Sequence, residues 1–355
     1  MDEHGGNIEK ARSQDRLSAN KVIDFSANIN PLGIPCHIQK AIRKALCFTD
    51  RYPDPEYTEL KKGLSSLYGV KPQNILPDNG SASLIYLIPR ALGLKRPLIP
   101  IPAFSEYEKS ACLDSGRPVF LKPLKDFSPD IDIILKQLKG RDSLYIGNPN
   151  NPTGLMIAKD DMAMIVKEAK AKKVTVIIDE AFIEFTENHK HNTFMKEAPR
   201  SRNLIVIRSM TKYFAMAGLR LGTAIAHKEI IARLMKFQPP WPVNSVAVSA
   251  AIELIKDTKY ISDSFALMRH ERNFLYTSLA AFSGLKVWRP SANFIFCKIK
   301  AKSMTAGILR DRLAKKGIFI RDCSNFRGLD KNYFRVAVRT HLENEKLIEE
   351  LKSTL

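Results

Sequence analysis

Lys212 stands in the stretch RSMTKYFAMAGLRLG (208–222), close behind Ser209 and Thr211 and ahead of Arg220. A lysine amine forms a Schiff base with an aldehyde. Hydroxyls and a guanidinium beside it are suited to an anion such as a phosphate. Two more polar residues end apolar runs. VTVIID (174–179) runs into DEAF, which puts Asp179 at the tip of a buried strand. A carboxylate there is costly unless it meets a cation, such as a protonated ring nitrogen. SLYIG (143–147) runs into NPNNPTG (148–154), a proline-stiffened loop that can aim the Asn151 amide at a ligand. Upstream, DNGSAS (78–83) ends a loop and opens a helix, so the backbone N–H groups around Gly80, Ser81 and Ala82 form a phosphate cradle. PAFSEY (102–107) places Phe104 where an aromatic can stack on a flat ring. Taken singly, these are also an ordinary turn lysine, a helix cap and a core phenylalanine. The elements that carry them decide whether they meet.

The chain has 355 residues, more than one ordinary core, which predicts a large domain and a smaller one. Apolar residues make up 45% and charged residues 26%, the balance of a globular protein rather than a disordered one. Short apolar runs at 97–101, 143–147, 174–179, 203–208 and 222–226 read as buried strands. Helical patterns at 81–92, 105–116 and 158–173 alternate with them. That alternation predicts an α/β fold with a mostly parallel sheet covered on both faces. After PPWPVN (239–244) a long helical pattern runs to about Phe282, followed by two or three strands and two helices. The expected organisation is an N-terminal arm at 1–35 that joins the small domain and the active site, a large domain at 36–239 and a small α+β domain at 240–355. Ligand sites in such sheets lie outside the carboxyl ends of the strands, where the asparagine, the acid and the lysine all fall.

Together the parts describe one ligand: a planar, pyridine-like ring bearing an aldehyde and a phosphate, which is pyridoxal 5′-phosphate. The order N-G-S before a helix, P-A-F, NPNNPTG, DEAF and SMTK…GLRLG resembles the fold type I pyridoxal-phosphate enzymes, nearest the histidinol-phosphate aminotransferase branch. HGGN (4–7), DFSANINPLGIP (24–35), RYPD (51–54), IFIRDCSNFRGLD (318–330) and YFRVAVR (333–339) resemble the L-threonine-O-3-phosphate decarboxylases of cobalamin biosynthesis. Phe182 agrees with that branch, because the aminotransferases usually carry a tyrosine after D-E-A. The resemblance implies a role for each residue. Lys212 is the Schiff-base lysine, Asp179 pairs with the ring nitrogen, Asn151 with the ring hydroxyl, and Phe104 stacks on the ring. Gly80, Ser81, Ala82, Ser209, Thr211 and Arg220 hold the cofactor phosphate. Tyr52 reaches the cofactor of a neighbouring subunit, which implies a homodimer. Arg335 and Arg321 meet the anionic groups of a phosphorylated amino-acid substrate, with His4, Gly5 and Asn28 around its phosphate. Where relatives often carry an acid after the glycine of the phosphate loop, this chain has Ser81, and the backbone cradle is unaffected. The implied reaction is decarboxylation of L-threonine O-3-phosphate to (R)-1-amino-2-propanol O-2-phosphate. L-serine O-phosphate as substrate and a histidinol-phosphate-type aminotransfer stand as alternatives.

The net charge of +19 admits nucleic acid, an anionic surface or an anionic small substrate as partner. Acids are interleaved with the bases, as in KEAKAKK and RHERN, and no nucleic-acid-binding motif occurs, so the reading favours the small substrate. No apolar run of 18 residues occurs, and residues 1–16 lack the apolar core of a secretory signal, so no membrane partner and a cytoplasmic location are expected. The five cysteines are widely spaced and form no C-x-x-C, so neither a disulfide framework nor a metal site is expected.

Overall fold

The computed structural model describes residues 5–6, 22–113, 115–301 and 303–355. Its centre is a seven-stranded sheet of β2 (Ile75–Asp78), β3 (Pro97–Pro100), β4 (Val119–Leu121), β5 (Ser143–Gly147), β6 (Thr175–Asp179), β7 (Leu204–Ser209) and β8 (Gly222–Ile225), in the order β2-β8-β7-β6-β5-β3-β4. All pairings are parallel except those of β8, which runs antiparallel to both β7 and β2. Burial explains the sequence pattern. Val176 and Ile178 of β6, with Leu204 and Val206 of β7, join one hydrophobic cluster. Ile177, Ile205 and Ile207 point the other way into a second, beneath the helix Gly80–Leu92. Both faces are covered, so these strands read as unbroken apolar runs. Each such aliphatic side chain contributes about 1.5–3 kcal/mol by leaving water. β2 and β4 are additions to the sequence reading, since ILPD holds a proline and an aspartate and VFL is too short to show a period.

The register sets the site. Gly147, Asp179 and Ile207 lie side by side across β5, β6 and β7, so the three strands end at one level. The segments that leave these strands therefore open into one crevice. A buried ion group ties two of the strand tips together. Arg208 of β7 donates to Glu180, just past β6, at 3.0 Å, and also bonds Glu184. Glu180 accepts further bonds from Thr193 Oγ1 and the Phe194 amide.

A second sheet holds β9 (Leu285–Val287), β10 (Phe294–Ile299), β12 (Arg321–Asp322) and β13 (Tyr333–Ala337), antiparallel in the order β12-β13-β10-β9. β1 (Ile23–Asp24) pairs in parallel with β11 (Ile318–Phe319). The C-terminal part thus has five strands beyond Phe282, not two or three, because the two-residue strands carry no readable alternation. The long helical pattern is also two helices, Ser245–Lys256 and Thr258–Ala280. Asp257 divides them, and its carboxylate caps the second by accepting from the Tyr260 amide at 2.8 Å. The first packs against the helices Cys36–Leu46 and Thr58–Tyr68.

Candidate active site

Asp179 ends β6 and is 7% exposed. Tyr107 donates its hydroxyl to Asp179 Oδ2 at 2.8 Å, and the Ala181 amide donates to Oδ1 at 3.0 Å. Burial pushes the Asp179 carboxyl upward; these two hydrogen bonds and Lys212 oppose the shift. Tyr107 was not singled out from the sequence. Its signal is the spacing Phe-x-x-Tyr at the start of the helix Ser105–Leu113, where Phe104 meets the Tyr107 ring edge-on at 5.8 Å. Burial, reinforced by Asp179, holds the Tyr107 phenol well above its ordinary range, so it stays a donor.

Lys212 sits on the one-turn helix Met210–Tyr213 that follows β7. Burial pulls its amine down to about 8, Arg220 and Arg335 add to the fall, and Asp179 opposes it. A neutral amine is therefore accessible near physiological pH. The turn is held from outside by Asn30, a second residue the sequence reading passed over. Its amide N–H bonds the Lys212 carbonyl at 3.0 Å, and its side chain bonds Tyr213 O and Ser264 Oγ.

Beside the lysine, Ser209 Oγ and Thr211 Oγ1 lie 2.6 Å apart, both buried. The helix Gly80–Leu92 presents its first turn here. Two glycines permit that approach. A Cβ on Gly222 would fall 2.3 Å from the Ser81 nitrogen, and one on Gly80, whose φ is +79°, would meet Arg220 Nη2 at 2.5 Å. Arg220 itself has φ of 60° and so carries the backbone strain common at binding sites. The N–H groups, the two hydroxyls and the guanidinium make a compact anion cradle.

Across the crevice lies the second sheet. Arg335 on β13 and Arg321 on β12 are direct cross-strand partners, 5% and 6% exposed. Arg335 donates to Asn151 Oδ1 and to Ser26 O, and Arg321 donates to Asp322 O and Asn325 Oδ1. Burial draws the Arg335 guanidinium down to about 10, and Arg321 contributes to the fall. Like charges opposed in this way repel, which an anionic ligand relieves. The N-terminal residues Gly5 and Gly6 lie against Ser26, whose Oγ accepts from the Gly6 amide at 2.8 Å. Asn28 is buried, and among the described residues its Oδ1 has no hydrogen-bond partner.

One cavity of about 210 Å³ gathers most of the residues singled out from the sequence. Gly5, Asn28, Ser81, Ala82, Phe104, Asn151, Asp179, Thr211, Lys212, Arg220, Arg321 and Arg335 all line it. Tyr107, Phe182 and Phe326 line it too. Gly80 and Ser209 stand behind this lining as supports. Tyr52 does not reach the cavity of its own chain: it is 79% exposed and stacks on Trp241 at 4.3 Å. His4 lies outside the described residues.

A buried acid, a low-pKa lysine and an anion cradle around one cavity fit a planar cofactor with an aldehyde and a phosphate. The family model for aminotransferase class I and II matches residues 20–351. The chain belongs to that family. A Caldanaerobacter subterraneus subsp. tengcongensis protein, provisionally named a threonine-phosphate decarboxylase, is 40% identical over 99% of this chain and 93% of its own length. The threonine-phosphate decarboxylase of Salmonella typhimurium is 33% identical over 99% of this chain and 96% of its own. Among solved structures, the histidinol-phosphate aminotransferase of Clostridium acetobutylicum is 36% identical, with a TM-score of 0.88 over 94% of this chain and 98% of that one. This family member is a pyridoxal 5′-phosphate enzyme of fold type I. Among the described residues no helix is long and apolar enough to cross a membrane.

Proposed function

We propose that the chain is a cytoplasmic, homodimeric decarboxylase of L-threonine O-3-phosphate. It releases CO2 and (R)-1-amino-2-propanol O-2-phosphate, a precursor for the cobalamin nucleotide loop. The observation that carries this reading is the buried cross-strand pair Arg321 and Arg335, facing Lys212 in one cavity. A substrate with both a carboxylate and a phosphate sets its anions against these two buried, mutually opposed cations. The full-length similarity to proteins named threonine-phosphate decarboxylases supports the same choice.

When bound, the cofactor condenses with amines through its aldehyde and accepts into its ring the electron pair of a bond broken at Cα. The side chains do the rest. Ser81, Thr211 and Arg220, with Gly80 and Ser209 behind them, hold its phosphate. Phe104 covers the ring, and Asn151 meets its hydroxyl. Asp179, anchored by Tyr107, keeps the proton on the ring nitrogen. Tyr52 comes from the second subunit. Arg335 takes the substrate carboxylate, and Arg321, Asn28 and Gly5 surround its phosphate. These contacts fix the rotation about Cα, so the bond to the carboxylate, not the bond to hydrogen, is the one that breaks. CO2 leaves with the carboxylate carbon. Lys212 Nζ then delivers a proton to Cα as general acid.

Two neighbouring reactions compete. L-serine O-phosphate lacks one methyl, worth only about 1–3 kcal/mol in a pocket. Aminotransfer from a histidinol-phosphate-type amine to a keto acid is favoured by the likeness to the Clostridium acetobutylicum aminotransferase. The loaded enzyme should be given L-threonine O-3-phosphate or L-serine O-phosphate with no keto acid present, and CO2 and amine phosphate measured by mass spectrometry. Catalytic turnover on the threonine compound is expected. Absence of CO2, with glutamate formed once histidinol phosphate and 2-oxoglutarate are supplied, would overturn the proposal.

A further inference from the structure

A second cavity of about 490 Å³ shares no lining residue with the catalytic one. Its walls come from both sides of the molecule. Met156–Ala158 follow the NPNNPTG loop, and Glu187 follows the DEAF stretch after β6. Opposite are Arg269 and Arg272, one helical turn apart on Thr258–Ala280, and Arg289, just past β9. Arg272 is 8% exposed and bridges the two walls, donating to Phe185 O at 2.6 Å and Ser291 O at 3.1 Å. Its contact with Glu187 is long, at 3.4 Å.

The charge count there is unbalanced. Three guanidinium groups face the single carboxylate of Glu187, an excess of two positive charges. Among the described residues Arg269 and Arg289 have no carboxylate partner. Burial lowers the Arg272 pKa, Glu187 opposes this, and Arg289 and Arg269 lower it further, so the three cations feel one another. Arg289 also lies over the Tyr276 ring, 5.8 Å from its centre, which gives the cleft an aromatic side. Arginine forks match phosphate oxygens in pairs, and a focused positive cleft concentrates multivalent anions.

We propose that this cleft binds a phosphorylated small molecule carrying at least two negative charges, at a site separate from the catalytic cavity. The occupant bridges the 156–158 and 186–187 segments to the 269–291 segment, the same two walls that Arg272 joins. The probe is inorganic pyrophosphate. The pyridoxal-phosphate-loaded full chain is titrated with it at constant ionic strength while the thermal midpoint is followed. The same titration is run on R269Q/R289Q and on R289Q alone, which changes one exposed residue. A saturable rise in the midpoint is expected for the unaltered chain, undiminished by saturating L-threonine O-3-phosphate. Losing these arginines should weaken the apparent affinity at least about tenfold, or 1.4 kcal/mol. Both variants should keep the visible cofactor band and CO2 release without pyrophosphate. Equal affinity in the variants, competition by the substrate, or no saturable rise at all would each overturn the proposal.

Discussion

Replacing Tyr107 by phenylalanine tests how the acid at the end of β6 is held. The substitution removes one hydroxyl and keeps the ring, so the contacts with Phe104 and Tyr145 survive. The loss is one of the two donors to Asp179, a bond of 2.8 Å in a buried setting. A hydrogen bond to a charged acceptor is worth about 1.5–3 kcal/mol. If the transition state feels all of it, kcat for CO2 release falls about 10- to 150-fold. The sign of the pH effect comes from the same bond. Tyr107 lowers the Asp179 pKa against the raising effect of burial, so its loss lets that pKa climb. The acid limb of the pH–rate profile should move to higher pH, because the carboxylate is needed ionised. Steady-state kinetics across the acid range, with the visible cofactor band recorded alongside, reads both effects. A kcat within about twofold of the parent enzyme, with an unmoved acid limb, refutes the reasoning and makes Tyr107 a packing residue.

The Lys212 amine, drawn down to about 8, should capture cofactor in the apoenzyme at a rate that rises with pH and levels off above 8, rather than rising toward the ordinary lysine range. Stopped-flow absorbance measures this, and a rise continuing past pH 10 would contradict it. Gly222→Ala puts a Cβ 2.3 Å from the Ser81 nitrogen, which costs at least about 1–3 kcal/mol of overpacking where the phosphate cradle forms. Cofactor titration should show weakened binding, with Gly218→Ala, which meets nothing within 4 Å, as the neutral comparison. Arg208→Met strands the buried carboxylates Glu180 and Glu184, and urea unfolding should register a loss of about 3–5 kcal/mol.

The sequence displays the strands β5, β6 and β7 because burial on both faces makes them unbroken apolar runs. The polar residues at their ends are legible for the same reason: Asp179 closes its apolar run, and Asn151 and Lys212 follow theirs within four residues of the strand end. β11 and β12 are not legible, since two residues hold no period. Arg321 stands out through the resemblance of its motif, but its alignment opposite Arg335 is a matter of register that only the fold supplies. Tyr107 and Asn30 were missed on different grounds. Tyr107 reads as a helix-face aromatic until the approach of β6 is known. Asn30 lies 182 residues from the lysine carbonyl it bonds, and a contact at that separation leaves no local pattern.

That long-range contact bears on how one cavity draws its parts from two sheets. Lys212 sits on the turn that follows β7 of the seven-stranded sheet and Arg335 in the four-stranded one, so some element must set the distance between them. The segment 25–30 does so. Phe25 O accepts from the Ala337 amide at 2.8 Å, and Ser26 O accepts from Arg335 Nη2 at 2.9 Å. Four residues later, the Asn30 amide donates to the Lys212 carbonyl at 3.0 Å. The same short stretch is thus fastened to the arginine's strand at one end and to the lysine's turn at the other. A substrate whose carboxylate is held by Arg335 has its Cα set relative to Lys212 by this segment, and an error of about 1 Å there can cost as much as 100-fold in rate. The choice of bond at Cα therefore depends on backbone hydrogen bonds of residues that touch no reacting atom, as much as on the charged side chains that do.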